Sequence, residues 1–340
     1  MPLRRVTLED FSAFGKVSFD LAPGINVLIG ENATGKTHAM KAIYAGLRAV
    51  SSDTTALSPT ARIALQLARV FRPDDGKLGH LPRRRHGHTT GSVKIEAGKG
   101  IWLRYSISSR TGKVTARVTL PRPPTALFIP SRELLALYEG LLQTMREREL
   151  SLDETYYDAC LALSAAPLRG VKAGIQEVID DLHGVLGGRV ELVGNRFYVK
   201  AGRARLEAHL VSEGLRKLAA IVRLLQNGSL REHGVLLWDE PEANLNPQLV
   251  VLVADVLVSL AAIGIQVIVA THDYLLLQTL GLHSETSDVE ARFFSLFRTK
   301  SVKDGVKMIS AEHPDALANN PIRDEFLAHY DRVRGAVSAS

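Results

Sequence analysis

Apolar and polar positions along the chain fall into two periods. Near the N-terminus "RRVTLEDF" and "KVSFDL" alternate, as half-buried strands do, whereas "INVLI" (residues 25–29) is a continuous apolar run of the kind buried on both faces of a sheet. Pro23-Gly24 punctuates the turn before it. After a stretch of polar and small residues, Met40, Ile43, Tyr44 and Leu47 share one helical face. The middle of the chain is mixed. It predicts a helix near 61–71, two strands around Gly98-Lys99-Gly100, a third in "KVTARVTL" and a short strand in "ALFI". Helical periods follow at about 132–149, 153–165 and 170–186, and "GRVELVGNRFYVKAGRARLEAHL" reads as short strands with glycine-containing turns. From 213 onward the alternation is cleaner. A helix carrying Leu215, Leu218, Val222 and Leu225 stops at Asn227-Gly228; a strand (235–238), a helix (about 247–262) and a strand (265–270) come next. The last thirty residues are polar, with a weak helix near 322–334. Helices alternating with buried strands predict an α/β fold on a largely parallel sheet. Without internal repeats or sustained heptads, no long coiled-coil arm is expected.

Composition narrows the class. With 340 residues, 46% hydrophobic and 23% charged, the chain reads as a globular protein large enough for a substantial core. Its longest apolar stretch, Leu249 to Ile265, is interrupted by Asp255 and Ser259, so no membrane span and no membrane partner are expected. "MPLRRVTLEDF" has no signal-peptide core. The single cysteine, Cys160, excludes an internal disulfide framework, fits a cytoplasmic location and reads as a small buried residue. Lys plus Arg number 42 against 36 acids, a net charge of +6. That excess is compatible with nucleic acid without arguing for it. One run is sharper: "HLPRRRHGHTT" places Arg83, Arg84 and Arg85 among three histidines with no acid. It reads either as a phosphate-contacting loop or as a solvated one.

Four stretches carry chemistry. In "GENATGKT" the spacing Gly30-Glu31-Asn32-Ala33-Thr34-Gly35-Lys36-Thr37 is that of a phosphate-binding loop between a buried strand and a helix. Its glycines let backbone N–H groups turn inward, and the helix adds the positive end of its dipole. Lys36 would reach the β- and γ-phosphates and the Thr37 hydroxyl would ligate Mg²⁺. In "GVLLWDEPEANLNP" four apolar residues end in Asp239-Glu240, so both carboxylates emerge at the C-terminal edge of a strand, where α/β sheets bind ligands. Asp239 is placed to hold Mg²⁺, and Glu240 to polarise an attacking water. "GIQVIVATHDYLLL" ends a buried strand in Thr271-His272-Asp273; His272 is either satisfied structure or a contact to the γ-phosphate. Finally, Ser212-Glu213-Gly214 precede an amphipathic helix. Ser212 reads as its N-cap, or the helix N-terminus serves as an anion site for a second nucleotide.

In chain order (loop at 30–37, signature at 212–214, Asp239-Glu240, a D-loop-like "EANLNP" at 242–247 and His272) the elements resemble the ATP-binding-cassette superfamily, in the branch of RecF, the SMC proteins and the OLD-type ATPases. "WDEPEANLNP" is also similar to bacterial OLD-like AAA family ATPases linked to phage defence. The resemblance implies an α/β, ABC-type P-loop ATPase head with a mixed or parallel sheet, an N-terminal antiparallel β lobe and an inserted, mainly helical lobe. The whole chain, 1–340, would be one head. Residues 1–50 and 205–285 would be its nucleotide-binding core, 51–204 the inserted lobe and 310–340 a polar tail. ATP and Mg²⁺ would bind at the loop, with Thr271 nearby and Thr37 and Asp239 as metal ligands. Glu240, His272 and Lys36 would carry hydrolysis. A head-to-tail homodimer would bring Ser212, Glu213, Gly214, Asn244 and Asn246 to the partner's nucleotide. The expected function is a dimeric ATPase switch in anti-phage defence or DNA metabolism, working with a separate effector (a nuclease or toxin) and with DNA as a partner through Arg83, Arg84 and Arg85. A non-turnover ATP-dependent scaffold and a transporter motor subunit are the alternatives. The signature departs from the transporter pattern Leu-Ser-Gly-Gly-Gln, since this chain has Val211-Ser212-Glu213-Gly214-Leu215. "LFIPSRE" stands where the family's Q-loop lies but has no glutamine, leaving Arg132 or Glu133 as candidates for that position.

Overall fold

The structure, a computed structural model, describes residues 1–51, 56–84, 87–148, 150–299 and 304–338. Arg85 of the basic run lies outside the described residues. Eleven strands form one mixed sheet, and its two halves obey different rules. In the first half, β3 (Ile25–Gly30), β7 (Ala126–Ile129), β11 (Val235–Asp239), β12 (Gln266–Ala270) and β13 (Ala291–Arg298) run parallel in the order β7-β11-β12-β3-β13. Their C-terminal ends therefore share one edge. In the second half, β1 (Arg5–Phe11), β2 (Phe14–Asp20), β4 (Thr90–Gly98), β5 (Ile101–Ser108) and β6 (Val114–Val118) are antiparallel neighbours. The two halves are joined by β14 (Val306–Ala311), antiparallel to β13 and parallel to β2.

Side-chain alternation in the parallel strands divides the interior into two cores. Ile25, Val27, Ile29, Trp238, Val267 and Val269 face one side. There they meet α6 (Glu213–Gln226), α7 (Pro247–Ala262) and α8 (Tyr274–Thr286), together with α4 (Glu154–Ser164) and α5 (Ala173–Leu186). Leu28, Leu237, Ile268 and Phe294 face the other side, against α1 (Lys36–Ser51), α2 (Pro59–Phe71) and the antiparallel wing. Each such side chain, fully removed from water, contributes about 1.5–3 kcal/mol. A strand buried on both faces must be apolar throughout, which is why "INVLI" and "VLLW" read as unbroken runs.

Residues 51–204 go to three places. α2 and β4–β6 extend the antiparallel wing, and β7 lies at the opposite, parallel edge. α3 (Tyr138–Glu147), α4 and α5 cover the parallel half, with a separate sheet of β8 (Arg189–Val193), β9 (Arg196–Ala201) and β10 (Ala204–Glu207) beside them. The helix expected from 132 starts only at Tyr138, and Gly140 interrupts it with φ of +76°. The Glu133 carboxylate accepts the N–H groups of Leu135 and Ala136, holding the preceding residues as turns. β13 and β14 have no counterpart among the strands that periodicity predicts. Toward the C-terminus, Leu317 and Asn320 are buried and α9 (Pro321–Ser338) follows. Among the described residues, no helix is long and apolar enough to cross a membrane.

Candidate nucleotide site

β3 ends in Gly30, whose φ of +144° suits only glycine; a Cβ there would lie 2.3 Å from the Leu296 carbonyl oxygen of β13. Gly35 has φ of +94°, and its Cβ would lie 2.9 Å from the Phe14 ring. Both ends of the loop are thus fixed by close approach. The tip, Glu31, Asn32 and Ala33, is exposed, while the Thr34 hydroxyl donates to the Glu31 carbonyl at 2.8 Å. Ala33 sits at φ +61°, and its carbonyl accepts from Arg298 at the end of β13 (2.8 Å).

Lys36 is buried at the start of α1, and its Nζ donates to the carbonyls of Gly30 (2.8 Å) and Glu31 (3.1 Å). Burial pulls its pKa down to about 8, against the opposing pull of Glu240, Asp239 and Glu242. An anion in the loop would offer this ammonium a charged acceptor in place of neutral carbonyls. The Thr37 hydroxyl donates to Asp239 Oδ1 at 3.2 Å across the sheet edge. Burial raises the Asp239 carboxyl to about 6, eased by the Thr37 bond and by Lys41 and Lys36. A buried carboxylate beside a hydroxyl, both hard oxygen donors, fits Mg²⁺, which takes one or two protein ligands and completes its shell with phosphates and water. Thr37 and Asp239 would hold it there.

One residue on, Glu240 adopts φ of +47°, a left-handed conformation that costs a non-glycine residue about 1 kcal/mol or more. Its N–H stays tied to Ala270 O (2.9 Å). Its carboxylate reaches the end of β12, where Glu240 Oε1 lies 3.4 Å from His272 Nε2. Burial, then the nearby Lys36 charge, depress the His272 pKa, so the ring is neutral at pH 7. Half-exposed and against the candidate base, His272 is not packed away as a core histidine. Thr271 is fully buried, with its N–H on Leu28 O (3.1 Å).

A residue that the sequence reading passed over organises this corner. Glu242 Oε1 accepts the Thr271 hydroxyl (2.6 Å) and the His272 N–H (3.0 Å), while its Oε2 is buried without a partner. Burial raises its pKa above the usual carboxyl value. Its signal was a third acid, in "DEPE", three residues beyond Asp239.

The signature residues face elsewhere. Ser212 is exposed at the N-cap position of α6, but its hydroxyl makes no bond into the helix; its carbonyl accepts the Arg216 N–H instead. The N-cap position expected from sequence is thus found, but without the side-chain hydrogen bond to the first-turn N–H groups. Gly214 is buried, and a Cβ there would meet the tips of Leu249 (2.6 Å) and Leu245 (2.8 Å). Asn244 is exposed and donates to Glu213 (3.0 Å), and exposed Asn246 caps α7 through the Leu249 N–H (3.0 Å). Lys217 ties α6 to this loop by donating to the carbonyls of Ala243 (2.6 Å) and Pro241 (3.3 Å). The basic run also has a definite place. Arg83 and Arg84 line, with Ala13, Arg298 and Gly305, a cavity of about 240 Å³ beside the phosphate loop.

A phosphate loop after β3, carboxylates after β11, a histidine after β12 and an exposed Ser212 at the start of α6 define an ABC-type ATPase head of the RecF and SMC kind. The comparisons with known proteins agree. The chain belongs to the family described as "AAA domain, putative AbiEii toxin, Type IV TA system", whose model matches residues 69–278; a second AAA domain model matches 5–119. The DNA replication and repair protein RecF of Arthrobacter sp. (strain FB24) is 30% identical over 263 residues, covering 69% of this chain and 60% of that protein. The RecF protein of Limosilactobacillus fermentum is 28% identical over 226 residues, 62% of this chain and 57% of that one. The chain thus spans about 60% of the length of these curated relatives. In fold it is similar to an SMC head bound to the C-winged helix domain of ScpA (TM-score 0.57, 14% identity, covering 92% of this chain and 98% of that one). It is also similar to an SMC head with coiled coil and joint from Pyrococcus yayanosii (TM-score 0.55, 11% identity, covering 91% and 97%).

Proposed function

We propose that this chain is an ATP-hydrolysing switch that closes on a second copy of itself when ATP is bound and opens after hydrolysis. The observation that carries the reading is the placement of Glu240, left-handed at the end of β11 with its carboxylate 3.4 Å from the His272 ring. A mere nucleotide holder has no use for a strained carboxylate set apart from the metal-side one. In the proposed cycle the loop N–H groups and Lys36 hold the phosphates, and Thr37 and Asp239 hold Mg²⁺, which would neutralise phosphate charge. Glu240 takes a proton from the water that attacks the γ-phosphorus, giving ADP and phosphate. His272, neutral and in contact with Glu240, donates to the γ-phosphate and loses that contact when phosphate leaves. Ser212, Glu213, Gly214, Asn244 and Asn246 complete the site of a head-to-tail partner; the exposure of Ser212, Asn244 and Asn246 supports this, while buried Gly214 lets α6 pack closely on Leu245 and Leu249. The RecF relatives support work on DNA; anti-phage defence alongside a separately encoded nuclease or toxin is the other setting we propose. Of the basic run, exposed Arg84 is the candidate DNA contact, whereas Arg83, expected from sequence to share that role, is buried.

The test is Glu240→Gln. It should bind ATP, lose about 10²–10⁴-fold in turnover as expected for removal of a general base, and accumulate as an ATP-bound dimer by size exclusion with light scattering. Wild-type turnover in this variant would remove Glu240 from the reaction.

A further inference from the structure

The antiparallel wing has one face on the core and one on solvent, and its solvent face carries an arrangement that sheets ordinarily avoid. Along β4, β5 and β6, Val93, Ile95, Leu103, Tyr105 and Val114 are buried in the core, so Lys94, Arg104 and Arg117 stand on the opposite face. Register sets these three in one row: Lys94 pairs with Arg104, and Arg104 with Arg117. Residues directly opposite in an antiparallel pair have Cβ atoms about 4.5–5.5 Å apart, and like charges there oppose the pairing. The acids of this face do not offset the row. Glu96 is held by Lys94 at 2.6 Å, while Asp20 and Glu9 are held by Arg5 and Lys16 on β1 and β2. Arg104 and Arg117 are exposed, and their guanidinium groups make no ion pair with any described residue.

The surroundings extend the row. From Ile101 to Arg132 the chain contains no acid, and the hairpin between β5 and β6 adds exposed Arg110 and Lys113. Ser109 of that hairpin donates its N–H to the Thr89 carbonyl (2.9 Å), which brings the end of the basic run alongside. Two residues before Arg104, Trp102 stands on the same face, partly exposed, with Lys94 Nζ 5.8 Å from its ring centre. Guarding the open edge of the sheet would need charge on β6 alone, yet Arg104 lies on β5, one strand in. Guanidinium forks suit phosphate oxygens. The carboxylates of an acidic peptide would suit them too, but an indole set among the cations offers a surface on which an unpaired base stacks.

We propose that the solvent face of β4, β5 and β6 binds single-stranded nucleic acid, with Arg104 and Arg117 on adjacent phosphates and Trp102 against a base. The proposal rests on, and deepens, the reading that this chain works on nucleic acid; it is independent of ATP hydrolysis. The like-charge pair burdens the free protein, and a polyanion laid across it relieves that burden. Arg84 lines the cavity beside the phosphate loop instead, so the two contacts can be separated by mutation.

The experiment compares wild type with Arg104→Gln, Arg117→Glu, Trp102→Ala and Arg84→Ala. Fluorescence anisotropy across a salt series measures binding of a labelled oligothymidine of about 20 nucleotides, longer than a typical single-strand site, and of a duplex of equal length. Wild type should prefer the single strand. Arg104→Gln and Arg117→Glu should each weaken its binding about tenfold or more and lower the salt slope by about 1. Both should also raise the melting temperature of the free protein, because each removes the like-charge pair. Trp102→Ala should weaken single-strand binding about fivefold or more and leave the salt slope in place. A higher melting temperature with wild-type binding in the two arginine variants overturns the proposal. Wild type that prefers duplex, or binding lost in Arg84→Ala alone, overturns it too and leaves the broader nucleic-acid reading standing. Wild type that binds neither probe overturns both.

Discussion

Two regions of this chain are proposed to meet the phosphates of ATP, and they are finished to different degrees. At the ends of β3, β11 and β12, Lys36, Thr37, Asp239, Glu240 and His272 converge from three adjacent strands and are already in contact across the sheet edge. Burial has shifted Lys36, Asp239 and His272 from their ordinary pKa values, so this region carries electrostatic strain that a magnesium nucleotide would relieve. The signature region has the opposite character. Ser212 is exposed with an idle hydroxyl, Asn244 and Glu213 satisfy each other, and Asn246 caps its own helix. Nothing there converges on a point. One region is organised by its own fold, and on the proposed reading the other becomes a site only against a second surface. Lys217 joins them by gripping the loop that follows the carboxylates.

The largest effect should come from breaking the converged region. Lys36→Ala removes the one ammonium inside the loop and should cost about 10²–10³-fold in turnover, measured as phosphate release, with ATP affinity falling as well. The signature region is best broken by bulk. Ser212→Arg places a long side chain on an exposed position that contributes no hydrogen bond, so folding should be unaffected. ATP affinity should stay near wild type, while turnover falls on the order of tenfold or more because the second surface cannot dock. The two variants together sharpen the contrast. In a head-to-tail dimer, a Ser212→Arg chain still offers an intact loop and a Lys36→Ala chain an intact signature. Mixing the two inactive proteins should therefore restore measurable hydrolysis. A mixture no more active than its components would confine catalysis to one chain.

The converged region was legible in sequence and the connections around it were not, for a physical reason. Gly30 to Thr37, Asp239-Glu240 and His272 each follow a buried strand directly, so a local rule about apolar runs also fixes where their side chains emerge. The two-core division is equally local, being the alternation of Val27 and Leu28 along one strand. What escaped depends on distant pairing. "ARFFSLFR" carries enough apolar residues for a strand, yet its position beside β3 is set by the register of Leu296 against Gly30, which no window can show. Arg83 and Arg298 meet beside the phosphate loop although one leads into β4 and the other ends β13. Ser212 was misjudged in detail because capping depends on a side-chain rotamer. Arg132 and Glu133 were indistinguishable as letters; burial and Arg216 separate them.

Glu242→Gln should give the smallest effect and the most specific one. Glu242 sits where the two regions touch, following the backbone that Lys217 grips and holding Thr271 and His272 with one oxygen. The amide keeps an acceptor for that hydroxyl and N–H, so His272 should stay in place and turnover should fall only a few-fold, the scale of one weakened hydrogen bond. Stability should respond to pH instead. Burial raises the Glu242 pKa in the folded chain above its unfolded value, so between those two values the folded state binds more protons than the unfolded state. Its ionised form therefore burdens the fold at neutral pH. That burden is relieved as pH falls through the raised folded pKa, and relief is complete below the ordinary carboxyl value. Glutamine carries no such charge at any pH. Melting temperatures of the two proteins, compared from pH 7.5 down to 4.5, should show wild type gaining on the variant as pH falls. A constant difference would mean that the orphaned Oε2 is solvated in solution, and that the corner joining catalysis to the signature helix is looser than its hydrogen bonds imply.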